Sequence, residues 1–137
     1  MNSIEEAVQL FEGGYMCSQA VFAAFSEDYN LSKDQALKIG ACFGSGMRKG
    51  EVCGACTGAL MALGLKYGDD KAKSDEVCDK FLDEFKKQNG SYICRDLLGC
   101  DISTPEGVKH AVDNNLFREF CPMMVESAAR IVDGILK

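Results

Sequence analysis

An all-α fold, a compact bundle of about six to seven helices, follows from three observations on this 137-residue chain. Apolar residues recur at helical spacing almost from end to end. No run of alternating β-branched residues offers a strand, and the periodic stretches are bracketed by recognisable helix starts and stops. With 47% hydrophobic residues the chain is sized for one domain, residues 1–137, with a real core.

The elements are justified in order. Ser3-Ile4-Glu5-Glu6 reads as a capping box, and the helix that carries Ala7, Val8, Leu10 and Phe11 ends at Gly13-Gly14. A second helix starts near Cys17 and buries Val21, Phe22 and Phe25. Ser32-Lys33-Asp34-Gln35 opens a third, through Leu37 and Ile39 toward Ala41. Gly44, Gly46 and Gly50 then form a loop leading to a helix that starts near Cys53 and ends at Gly68. In that helix Gly54 and Gly58 share a face with Met61, so another helix or a cofactor could approach its backbone closely. Val77, Cys78, Phe81, Leu82 and Phe85 mark a long amphipathic helix ending near Gly90. Cys94 to Gly99 predicts one or two helical turns. Ser103-Thr104-Pro105-Glu106 joins a cap to a proline suited to the first helical position, and Cys121-Pro122 opens a terminal helix with Val125, Ala128, Ala129, Val132 and Leu136 inward.

Charge and hydropathy narrow the setting. A net charge of −6 opposes non-specific attraction to nucleic acid or anionic lipid. The longest apolar run, Ala55 to Leu65, is roughly half of a membrane span, so no membrane insertion is expected. Residues 1–6 lack the basic and apolar regions of a secretory peptide, which predicts a cytoplasmic protein with reduced thiols.

The chemistry must then come from eight cysteines. Cys17, Cys53, Cys94 and Cys121 each open a helix, where unpaired N–H groups and the positive end of the helix dipole favour thiolate over thiol. Four such residues suggest a metal, a cluster or redox chemistry. Cys53-Gly54-Ala55-Cys56 has the spacing of metal sites and of dithiol oxidoreductases alike, but no βαβ unit surrounds it. Neither a second short cysteine pair for zinc nor a ferredoxin spacing is present, so spacing alone does not name a metal. In a bundle, ligands on separate helices can still converge. Cys42, Cys78 and Cys100 read as packing residues in apolar settings.

Several stretches carry a resemblance. They are Cys17-Ser18-Gln19-Ala20-Val21, the glycine-rich Gly44–Gly50, Glu51-Val52-Cys53-Gly54-Ala55 with Thr57-Gly58-Ala59-Leu60-Met61, and Leu65-Lys66-Tyr67-Gly68. Cys94-Arg95-Asp96-Leu97-Leu98-Gly99, Asp101 to Gly107 and Cys121-Pro122 complete the set. Together they resemble the C_GCAxxG_C_C family of redox-active proteins, which is related to the cysteine-rich domain of split-Soret cytochromes. By position, the resemblance implies that Cys17, Cys53, Cys94 and Cys121 are the functional cysteines, and it points to a four-cysteine [2Fe–2S] iron–sulfur cluster. Two departures stand out: the order here is Cys-Gly-Ala, and Met16 occupies a position where asparagine is common. No Cys-x-x-Cys-His sequence is present, so haem is not implied.

Other candidates carry less. His110, the only histidine, reads as a surface or core-edge residue, which also weakens a cysteine–histidine hydrolase. The glycine loop lacks the lysine and hydroxyl of a phosphate loop and reads as one that shapes the site. Met123 and Met124 read as packing. The expectation is a redox protein that holds an iron–sulfur cluster for electron transfer and works with a redox partner protein, as a monomer or a homodimer. The alternatives are thiol–disulfide chemistry at Cys53 and Cys56, or a zinc-stapled or metal-free bundle that binds a partner.

Overall fold

The structure is a computed structural model describing residues 1–137. It contains nine α-helices: α1 (Ser3–Glu12), α2 (Cys17–Ser26), α3 (Lys33–Ile39), α4 (Gly54–Tyr67), α5 (Lys71–Asn89), α6 (Cys94–Leu98), α7 (Pro105–Asp113), α8 (Leu116–Glu119) and α9 (Cys121–Leu136). Seven of these have seven residues or more, and α6 and α8 are single turns. The all-α expectation is met. The only β pairing is one isolated antiparallel bridge, Val52 with Ile93. No helix is long and apolar enough to cross a membrane.

Helix α2 is apolar nearly all round, and eight of its ten residues are buried, so it takes the centre of the fold. Packed on it is α4, whose close approach is set by glycine. A Cβ on Gly58 would lie 2.5 Å from the Ser18 carbonyl oxygen, and a Cβ on Gly54 would overlap Cys17 Sγ. The shared face inferred from the Gly54–Gly58 spacing is thus used by α2. Ser18 donates from Oγ to Gly40 O at 2.7 Å and Gln19 donates from Nε2 to Leu37 O at 2.8 Å, which ties α3 beside α2.

Two apolar clusters result. The main one joins α1, α2, α4, α5 and α9 around Phe22, Phe25, Phe81 and Phe85. A smaller one, Cys94, Leu98, Ile102 and Ala111, is closed by Phe117 and Phe120 from the α8 region. The cysteine cavity described below lies between them.

One helix start shifts by one residue, and the others hold. The cap of α1 is Asn2, whose side chain accepts Glu5 N–H at 2.8 Å, rather than Ser3. The cap of α7 is Thr104, accepting Gly107 N–H at 3.0 Å, with Pro105 first in the helix. Ser32 caps α3 as read. Cys42 is exposed at the end of a 3₁₀ turn, so it is not a packing residue, while Cys78 and Cys100 are half-buried. His110 is exposed.

Candidate redox site

Four separate chain segments deliver Cys17, Cys53, Cys94 and Cys121 to one cavity of about 250 Å³. Each stands at a helix start: Cys17, Cys94 and Cys121 are first residues of α2, α6 and α9, and Cys53 is the cap of α4. The Val52–Ile93 bridge sets two of them side by side. Cys53 N–H donates to Tyr92 O at 2.8 Å, and Cys94 N–H donates to Glu51 O, so the starts of α4 and α6 are clamped together. Pro122, free of an N–H, suits the first turn of α9, which Cys121 opens.

The rest of the lining is almost wholly apolar, with Phe11, Leu97, Leu98, Phe120 and Met124 prominent and no Asp, Glu, Lys, Arg or His among it. No general acid or base other than sulfur or the Tyr15 and Ser45 hydroxyls is available inside. Cys53 and Cys94 are buried, and Cys17 and Cys121 half-buried.

The thiols of Cys17, Cys53 and Cys56 are close enough to shift one another's titration. Cys56 itself is fully buried in α4 and does not line the cavity. These neighbouring thiols and the apolar surroundings overturn the expectation of ready thiolates. The Cys17 thiol is pushed well up, chiefly by the neighbouring Cys53 and then by burial, with backbone hydrogen bonding from Ser45 and Ser18 opposing the shift. Cys53 is eased down by Cys17, but Cys56 and burial carry it upward overall. Burial, then the neighbouring thiols, push Cys94 and Cys121 up to about 12. A helix terminus acting on a sulfur in an apolar cavity loses to desolvation and to like charges sharing the space.

One wall of the cavity is under strain. Ser45, Gly46, Met47 and Arg48 all have positive φ, at 56°, 60°, 56° and 64°, and make a left-handed turn closed by Glu51 N–H to Gly46 O at 3.0 Å. Each non-glycine residue there costs roughly 1–2 kcal/mol. The turn places Ser45 on the cavity beside Cys17, and Gly44 leaves room for the Met16 side chain, which a Cβ would strike. This is the glycine loop that the sequence assigned to shaping the site.

Sequence reasoning did not single out Ser45, Tyr15, Phe117 or Phe120. The phenylalanines had a signal in the three-residue spacing of Phe117 and Phe120 just ahead of Cys121. Ser45 had none beyond its glycine neighbours.

The family model "Putative redox-active protein (C_GCAxxG_C_C)" matches residues 15–135. The chain belongs to this family. All four cavity cysteines fall inside the matched span, as does the left-handed turn. No curated protein sequence and no solved structure matches it.

As they stand, no three Cys, His, Asp or Glu side chains gather at single-ion distance. The donor set nevertheless suits a sulfur-ligated group: four thiols, no competing oxygen or nitrogen ligands, and backbone N–H groups of Ser45 and Ser18 acting on Cys17.

Proposed function

We propose that the protein is an electron carrier whose Cys17, Cys53, Cys94 and Cys121 hold an iron–sulfur cluster, best matched by [2Fe–2S]. The observation that carries this reading is the cavity of about 250 Å³ with these four thiols on its wall and no charged side chain in it. The raised thiols weigh against a nucleophile, which must ionise unaided.

When bound, the cluster supplies one-electron chemistry. The chain's own part is to hold four thiolates, exclude water with Phe11, Phe120 and Met124, and offer amides of Ser45 and Ser18 to the sulfur of Cys17, a contact of the kind that sets cluster potential.

A second reading rests on the adjacency of the Cys17, Cys53 and Cys56 thiols, which shift one another's titration. Cys53 and a neighbouring thiol would give two electrons and two protons to a substrate disulfide, which leaves as a dithiol, and would end joined as a disulfide. The high pKa of Cys53 weighs against it as the attacking group.

Single cysteine replacements separate the two. After anaerobic loading with iron and sulfide, Cys56→Ala should keep the visible spectrum, while Cys17→Ser, Cys53→Ser, Cys94→Ser and Cys121→Ser should each alter or lose it. Loss of the spectrum in Cys56→Ala alone would contradict the four-ligand assignment.

A further inference from the structure

The four cavity thiols are of use only to what can reach them. One residue of the cavity lining is exposed, where all the others are buried or half-buried: Tyr15, at 42%. Tyr15 also lines a groove on the outer surface, together with Gly14, Arg118 and Pro122. Groove and cavity have Phe11, Tyr15 and Phe117 in common, so these three aromatic side chains are the partition between solvent and sulfur. On its inner side stands Cys121, half-buried, whose chain neighbour Pro122 is already in the groove.

The three aromatics are not held alike. Phe11 packs against the main core and Phe117 against the small cluster, which fixes both. Tyr15 packs in neither, and its hydroxyl makes no hydrogen bond within the protein, whereas the Tyr67 hydroxyl donates to Ile135 O at 3.2 Å. The backbone of Tyr15 is anchored by its own N–H, which donates to Leu10 O at 3.2 Å, so motion falls to the ring. An exposed ring turns rapidly between staggered rotamers when nothing blocks it. There is room for this beside Gly14, where a Cβ would meet no atom within 4 Å.

We propose that the Tyr15 ring is the door of the cysteine cavity: it covers the thiols as the structure shows it and swings outward, between Phe11 and Phe117 as fixed posts, to admit small solutes. Ferrous iron and sulfide are the solutes the site needs, a statement that rests on the redox reading above. The place of the door does not depend on that reading. Closed, the ring completes the apolar wall that keeps water from the sulfurs, and its position, two residues before Cys17, puts the opening at the junction of α1 and α2.

The test is the rate at which each cysteine of the fully reduced, metal-free chain is modified by a small reagent, iodoacetamide, and a bulky one, pyrenylmaleimide, mapped by peptide mass spectrometry. Comparing the two reagents separates access from thiol ionisation, which both reagents share. At Cys121, Tyr15→Ala should speed the bulky reagent about tenfold and the small one less, and Tyr15→Phe, which keeps the ring, should match the parent. Exposed Cys42 and fully buried Cys56, which is off the cavity, should react as in the parent. The proposal is overturned by equal rates in Tyr15→Ala and the parent, by a Tyr15→Phe that behaves as Tyr15→Ala, or by modification of Cys53 or Cys94 ahead of Cys121. An equal rise at Cys56 also overturns it, since the ring would then be holding the fold together rather than closing an opening. The redox reading fails separately, through metal analysis: a chain that takes up no iron has no centre, whatever Tyr15 admits.

Discussion

Cys17 and Cys53 come from the main core, and Cys94 and Cys121 come from the edge of the small cluster, and the two pairs are held by different physics. The first pair is fixed by a helix crossing in which glycines let α2 and α4 approach until a Cβ would clash. The second pair sits on α6, a single turn, and on the start of α9, packed by a four-residue cluster with α8 beside it. A cavity between a well-packed half and a thinly packed half has one rigid wall and one that can yield. A group bound by both pairs would tie the small cluster to the large one, so its binding energy would appear as stability of α6 to α8.

The largest expected effect breaks the rigid half. Phe81→Ala, in the main core and fully buried, should cost about 3–5 kcal/mol and lower the melting transition by all probes together. Next, Gly54→Ala drives a methyl into Cys17 Sγ. It should cost about 1–3 kcal/mol by denaturant titration and weaken iron retention even though every cysteine remains. If Gly54→Ala were neutral in both, the two-helix wall would not be what positions Cys17.

The small cluster should respond to pH. Cys94 and Cys121 have folded-state pKa values near 12, above the ordinary thiol range, so the folded metal-free protein binds their protons more tightly than the unfolded chain does. Their contribution is complete below the unfolded value and is lost as pH rises from there toward about 12. Cys17 and Cys53 are raised as well, so both halves lose stability in this range, and hydrogen exchange between pH 8 and 10 should show the thinly packed α6 to α8 opening before α2 and α4. The same protonation predicts slow alkylation of all four cavity thiols at neutral pH, with exposed Cys42 modified first. The smallest effect is Cys42→Ser, within about 0.5 kcal/mol of the parent in a thermal melt.

Much of this architecture was legible in the sequence, for reasons that are local. Gly68, Gly90 and Gly99 stop helices where the sequence placed the stops, and the four cysteines stand at helix starts. The cap of α1 was misplaced by one residue where two capable side chains adjoin, Asn2 with Ser3, because local chemistry does not choose between neighbours. Helix α8 was missed since four residues after Asn114-Asn115 leave too short a period to see. The convergence of four cysteines, the Val52–Ile93 clamp and the protonation of the thiols depend on tertiary packing, which spacing does not encode. The helix-dipole argument for thiolates went astray at that point, because it counted the helix terminus and left out the burial.

The claim that the two halves share one sulfur-bound centre is tested most directly by analysing iron and acid-labile sulfide in protein isolated and loaded under strict anaerobiosis. The account predicts about two irons and two sulfides per chain, with visible absorption that disappears on chelation. A protein that stays colourless and iron-free after loading, with all eight thiols titratable, would contradict it.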